Sequence, residues 1–304
     1  MIPFMLFLSA AAVGATLSPT SDAVLLAGGE GGGPIRYEYG YFVSADAMHN
    51  TVSAYRSDGQ VMFDRTLEIP GVYHLQIRYA AVSPEGWVAV SAGAYSEDAA
   101  HVSVLIWVRP DGTVARAVRT SPYAPNQMVF APDGSLWTLG RLKTADNNGD
   151  VPDGAVMRHY DRNGQKIGEA LPLSGFPAMH ETRTARYPPA APFWEAVIFP
   201  GLDRLGLFCP GMTEYIELSW DGAVLGRWRT APISEDSPVW AAAFGKEGAV
   251  VALVGATSRT LDKGTGNFIP METGSERIGN LAGGDGTRLL FRTDTGKYMW
   301  FEQK

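Results

Sequence analysis

The chain has a single cysteine, Cys209, so no disulfide forms within it and no lipid-anchor cysteine follows its N-terminal apolar stretch. Cys209 closes the apolar run Leu205-Gly206-Leu207-Phe208-Cys209 and reads as a buried structural thiol. No run of Lys or Arg exists, and the net charge is −7, which excludes a nucleic-acid partner and an anionic membrane surface. No Gly-x-Ser-x-Gly elbow and no His-x-x-x-His spacing occurs, so neither a serine hydrolase nor a local zinc pair is supported. A sustained i, i+3, i+4 apolar period is also missing, which leaves little room for helix. Glu97-Asp98 and Glu235-Asp236 are adjacent carboxylates in loops. Glycosidase chemistry needs two carboxylates facing each other across a substrate, and adjacency does not supply that.

What is present is turns. Gly 35 and Pro 20 stand beside 45% apolar residues. Asp-Gly or a relative recurs at Asp58-Gly59, Glu85-Gly86, Asp111-Gly112, Asp133-Gly134, Asn163-Gly164, Asp221-Gly222, Glu247-Gly248 and Asp285-Gly286. Most lie between short runs rich in Val, Ile, Leu and aromatic residues, and each reads as a two-residue hairpin tip with positive φ. One series steps by 53, 52 and 58 residues from Asp58 to Asp221, and a second alternates with it. Two hairpins per unit make four strands, which is a β-propeller blade. The fold expected is all-β: a propeller, six four-stranded blades by count, with five or seven left open. An N-terminal strand within Ala23 to Arg36 is expected to pair with the last blade and close the ring, which removes free sheet edges.

Ile2 to Ala15 is an uncharged apolar stretch of 14 residues ending in small side chains. It fits a secretory h-region, too short to span a bilayer comfortably, with Val13-x-Ala15 or Ser21-x-Ala23 as cleavage sites. The expected organisation is a signal peptide over 1–23 and one propeller domain over 24–304, secreted or periplasmic, monomeric, and not inserted in a membrane after processing.

The segment Ala124-Pro125-Asn126-Gln127-Met128-Val129-Phe130-Ala131-Pro132-Asp133-Gly134-Ser135-Leu136-Trp137 resembles six-bladed propellers of the NHL, TolB-like and gluconolactonase/regucalcin-like families. So does His159-Tyr160-Asp161-Arg162-Asn163-Gly164-Gln165-Lys166-Ile167-Gly168. In the gluconolactonase-like enzymes the Asn of such a Pro-Asn pair binds a divalent metal, and Asn126 stands at the matching position. The resemblance thus implies a lactonase-like hydrolase or lyase, divalent-metal dependent, as the alternative to a binding protein. Thr138-Leu139-Gly140-Arg141 occupies the place of the family's later Asp, and Glu30 precedes glycines without matching the family's early Glu.

In a four-stranded blade both hairpin tips lie on one face, and the longer loops lie on the other. The long-loop face is where a site is displayed. The leading expectation is binding of a small molecule or protein partner there and in the central channel. Candidate ligand-binding residues are His49, His74, Gln76, Arg78, Tyr123, Asn126, Gln127, His180, Arg183 and Trp240. Strand alternation points Gln76 and Arg78 to the axis and packs Ile77 and Tyr79 within the blade. A lining Arg in an acidic protein favours a carboxylate or phosphate, which its planar fork pairs in two hydrogen bonds; bracing of the channel by an ion pair is the other reading. Asp146, Asn148 and Asp150 fit the first three positions of a calcium loop, although Val151 and Met157 stand where Gly and the bidentate Glu belong. The tryptophans recur in or beside strands and read mainly as inter-blade core, with Trp194 and Trp240 near long loops as exceptions.

Overall fold

The structure, a computed structural model, describes residues 16–20, 23–27, 34–98, 100–144, 150–151, 153–175, 196–209, 214–231, 239–254, 257–272 and 278–304. The described residues are all-β, with helix limited to single 3-10 turns at Leu173–Gly175 and Lys246–Gly248. Near the N-terminus lie β1 (Leu17–Pro19), β2 (Ile35–Glu38), β3 (Tyr41–Asp46), β4 (Thr51–Arg56) and β5 (Val61–Thr66). Four-stranded antiparallel sheets follow in chain order. The first is β6 (His74–Val82), β7 (Val88–Tyr95), β8 (His101–Val108) and β9 (Val114–Arg119). The second is β10 (Tyr123–Phe130), β11 (Leu136–Leu142), β12 (Ala155–Tyr160) and β13 (Lys166–Pro172). Then come β14 (Val197–Pro200), β15 (Arg204–Cys209), β16 (Glu214–Ser219) and β17 (Val224–Arg229). The next is β18 (Val239–Phe244), β19 (Val250–Val254), β20 (Thr257–Leu261) and β21 (Phe268–Pro270). The chain ends in β22 (Ile278–Gly284), β23 (Arg288–Thr293) and β24 (Tyr298–Gln303).

The remaining sheet has eight strands in the order β1-β24-β23-β22-β2-β3-β4-β5. It consists of two four-stranded arrays joined at one parallel pair, Tyr37 with Gly283. One array is therefore built from both ends of the chain. Leu17, Ser18 and Pro19 pair with Gln303, Glu302 and Phe301. The terminal pairing strand thus lies upstream of the expected Ala23 to Arg36 segment. Within that segment Val24 makes only an isolated bridge to Tyr298, while Ile35–Glu38 is the first strand of the N-terminal array.

The hairpin tips fall where the Asp-Gly pairs stand; at Glu247-Gly248 both residues have positive φ, 57° and 74°, as expected, but the Asp-Gly tips differ. There only the glycine is left-handed: Gly112 has φ of 85° and Gly222 of 90°, and their preceding Asp residues are not among the positive-φ residues. The glycine N–H closes onto the carbonyl three residues back, as Gly112 does to Arg109 at 2.9 Å. The pairing register then shifts by one residue, at Trp107/Val108 and at Glu217/Leu218. This is a type I turn followed by a glycine bulge. It explains the Asp as well, since its carboxylate accepts the N–H two residues on: Asp111 from Thr113 at 2.9 Å, Asp133 from Ser135 at 2.8 Å, Asp285 from Thr287 at 2.9 Å.

Strands apolar on both faces pack between neighbours. Val43, Val52 and Phe63 meet Ile77, Val90 and Val104, and Leu105 and Trp107 meet Met128 and Phe130. Similar clusters join each array to the next, and Phe42 and Tyr55 of the first meet Leu290 and Tyr298 of the last. Each fully buried large side chain contributes roughly 1.5–3 kcal/mol. Trp107 and Trp137 are among these buried side chains, and Cys209 is fully buried, with burial pushing its thiol pKa up. The first strands of successive arrays also touch: β6 with β10, β10 with β14, β14 with β18, β18 with β22, and β22 with β2.

Candidate functional site

Two cavities open along these first strands. The axial one, about 540 Å³, is lined from β2, β6, β10, β14, β18 and β22. Arg36 crosses it. Its Nη2 lies 2.6 Å from Glu38 Oε1 and donates to the Ile198 carbonyl at 3.2 Å, and its Nη1 donates to the Met128 carbonyl at 3.4 Å. The guanidinium also sits 4.5 Å from the centre of the Tyr79 ring. Glu38 is buried and accepts the Val82 N–H at 3.2 Å. Burial raises its pKa, and Arg36 and the Val82 N–H oppose the rise. Arg36 therefore ties four arrays together across the axis. Gln127 ties two of these arrays again: it donates to the Ala196 carbonyl and accepts the Ile198 N–H at 3.1 Å.

The second cavity, about 830 Å³, lies between the β6–β9 and β10–β13 sheets at their long-loop ends. Gln76 and Arg78 reach it from β6, Asn126 and Gln127 from β10. His101 begins β8, Arg119 ends β9, and Arg141 and Lys143 stand at the end of β11. Tyr79 and Gln127 form a wall common to both cavities. Tyr79 lines the channel because the β6–β7 register slips between Ile77 and Tyr79, so a bulge breaks the alternation expected there. Ile77 packs inside the blade, as alternation requires.

Arg78 Nη2 lies 3.4 Å from His101 Nε2. Burial lowers the His101 pKa and the charge of Arg78 lowers it further, so at neutral pH the imidazole accepts this bond. Burial likewise pulls the Arg78 guanidinium below its ordinary value; nearby Tyr95 opposes this and Arg141 adds to it. An arginine remains charged throughout. Arg141 and Lys143 share Asp150, at 3.7 Å and 3.2 Å. The Asn126 side-chain Nδ2 is buried with no hydrogen-bond partner among the described residues.

The other candidates scatter. Tyr123 is fully buried within its blade, its hydroxyl within hydrogen-bond distance of the Thr138 and Val156 carbonyls, with Arg158 stacked 4.4 Å over its ring. It is removed from the cavity because the first residue of β10 turns inward. His49 is exposed and pairs with Asp46 at 2.6 Å, outside both cavities. His74 is exposed at the start of β6, its ring 5.7 Å from Tyr95, which lies 4.7 Å from His101. Trp240 is 67% exposed and lines the axial cavity. His180, Arg183, Asp146, Asn148 and Trp194 lie outside the described residues.

A divalent metal does not fit the residues described. No three His, Cys, Asp or Glu side chains among them are placed to hold an ion. Asn126 stands among cations, and Asp150 of the expected calcium loop is committed to Arg141 and Lys143. The hairpin-tip pair Ser135 and His159 is 2.7 Å apart, the separation of a nucleophile and its base. Here, however, Ser135 donates its proton to Asp133 at 2.6 Å, so His159 donates to the hydroxyl instead of accepting from it. The pair is a turn brace, with His159 stacked 4.4 Å from Trp137.

Arg119, Arg141 and Lys143 were not singled out in the sequence. Each sits at or just past the long-loop end of a strand, and that shared placement is the signal that marks them.

No protein-family model matches the chain, and no curated protein is significantly similar to it in sequence. Solved structures do match. A gluconolactonase from Xanthomonas campestris is 15% identical, with a TM-score of 0.52 over 90% of this chain and 86% of that one. A Bacteroides fragilis protein named as a candidate exported protein is 10% identical, with a TM-score of 0.56 over 96% of each chain. A Bacteroides caccae protein of unknown function has a TM-score of 0.50 at 10% identity, covering 86% of this chain and 83% of that one. At these identities the likeness is one of fold.

Proposed function

We propose that this β-propeller is an exported, monomeric six-bladed ring that binds a small molecule at its long-loop face. Six four-stranded arrays, the unbroken succession of contacts between their first strands, and the pairing of β1 with β24 support the six-bladed closed form. The apolar Ile2 to Ala15 segment supports export. Among the described residues no helix is long and apolar enough to cross a membrane.

The single observation that carries the binding role is the convergence of Gln76, Arg78, Asn126 and Gln127 on one cavity of about 830 Å³. That volume lies within the range of small-molecule sites. The wall is also preorganised, because Gln127 and Tyr79 are held by neighbouring blades. A lactonase-like reaction needs carboxylate or amide ligands around a metal, and the lining described is cationic. Thermal-shift screening of the full chain against metabolites of mixed charge tests the reading. A specific ligand should raise the melting temperature, and Gln76→Ala with Asn126→Ala should abolish the rise. If no compound of any charge protects the protein, the reading fails.

A further inference from the structure

The cavity's charge runs against that of the whole molecule. The chain carries −7, yet Arg78, Arg119, Arg141 and Lys143 line this space, and no carboxylate stands among its described lining residues. Among the described residues, Asp150 pairs with two of the four cations, Arg141 and Lys143. These charges come from β6, β9 and the end of β11, so the fold gathers them from two sheets. Gathering them has an energetic cost, since burial and the charge of Arg141 both act against the Arg78 guanidinium. Arg78 has no carboxylate partner among the described residues; its hydrogen bond goes to a neutral imidazole. Asn126, which lines the same cavity, holds a buried N–H with no hydrogen-bond partner among the described residues. A buried donor without a partner costs free energy that a ligand's acceptor recovers.

The geometry points to a receptor site for a small organic polyanion, a phosphate ester or polycarboxylate, held by Arg78, Arg119, Arg141 and Lys143 with Asn126 donating to it. This rests on the small-molecule reading above and names the class of molecule bound. Clustered anionic oxygens satisfy the arginine forks two bonds at a time, relieve the repulsion among the cations, and take the Asn126 N–H. At Asn126, where the resemblance places a metal ligand, the structure offers a donor among cations. The sign of the site is reversed.

Isothermal titration calorimetry of the full chain at low ionic strength tests this with four probes: pyrophosphate, citrate, a neutral sugar lactone and calcium chloride. Pyrophosphate or citrate should bind, and their ratio tells phosphate ester from polycarboxylate. Binding should weaken as salt is raised. Arg78→Gln and Asn126→Ala should each weaken it, Arg78→Gln by about tenfold to a hundredfold for one charge-assisted bond. Arg119→Gln, at an exposed strand end, should weaken it with no change in melting temperature; that variant keeps the test valid if Arg78→Gln unfolds. Binding of the lactone with no heat from either anion would overturn the charge assignment and leave the small-molecule reading standing. Anion binding indifferent to all three substitutions would place it elsewhere and overturn the proposal. Calcium binding lost in Asn126→Ala would restore the metal reading. Silence from all four probes, with no protecting compound in the thermal screen, would remove both.

Discussion

Replacing Arg36 by Met should be among the most damaging single changes outside the hydrophobic core. The side chain is only 20% exposed and its partner Glu38 1%. Removing it leaves a buried carboxylate facing Tyr79 and the axial cavity, with the Val82 N–H as its remaining hydrogen bond among the described residues. Breaking one side of a buried ion pair costs about 3–5 kcal/mol. The melting temperature moves roughly 2 °C per kcal/mol in a chain of this size, so a fall of roughly 6–10 °C is expected. The deficit should depend on pH with a definite sign. Burial already raises the Glu38 pKa above its ordinary 4.5, and loss of Arg36 raises it further. A carboxyl with a raised folded pKa costs stability while ionised, and recovers it as pH falls through that pKa. The variant should therefore lose most at alkaline pH and approach the parent as pH falls toward 4.5. Arg36→Met combined with Glu38→Gln removes both charges, keeps an acceptor for Val82, and should recover most of the loss. Circular dichroism melts of the three proteins across pH measure this. A single variant that melts with the parent, or a deficit indifferent to pH, would refute the axial brace.

Gly222→Ala should destabilise by more than the ~1–2 kcal/mol of a left-handed non-glycine residue, because its Cβ would also meet Trp137 at 2.8 Å. Gly248→Ala has a positive φ but open space and should cost only the conformational part; equal losses in chemical denaturation would contradict the distinction. Side-chain hydrogen bonds from Thr113, Ser219 and Thr265 hold the Asp111, Asp221 and Asp262 pKa values below 3.8. That stabilisation is present above 3.8 and lost as pH falls through the lowered values, so melting temperature should hold above about pH 5 and drop below about 3.8. A rise on acidification would reverse the sign. Leader cleavage after Ala15 would leave β1 in place, so mass spectrometry of secreted protein should find Thr16 at the N-terminus. Intact Met1 in a cytoplasmic fraction would refute export.

The scaffold was readable because turn chemistry repeats. Each Asp-Gly pair carries its own reason: a glycine that must be left-handed and a carboxylate that must accept the N–H two residues on. Neither requirement depends on distant sequence, so hairpins and their alternation appear directly in the residues. The terminal strand was displaced from its expected place because Leu17 to Pro19 carries no turn signature and pairs only through the far end of the chain. The lining of the candidate cavity was half legible. Gln76, Arg78, Asn126 and Gln127 follow from strand order and the choice of face. Tyr79 defied the alternation argument at a bulge, and Tyr123 is buried within its blade at a strand's first residue. Arg36 escaped notice because its partners at Met128 and Ile198 are backbone carbonyls far along the chain, which leave no mark in sequence.

The most direct measurement is a crystal structure of the full chain grown with pyrophosphate or citrate, with anomalous data collected to identify any ion. The account expects anion density between Arg78 and Arg141, within hydrogen-bond reach of Asn126 Nδ2. A divalent cation coordinated by the Asn126 side-chain oxygen, with the arginines turned away, would contradict it.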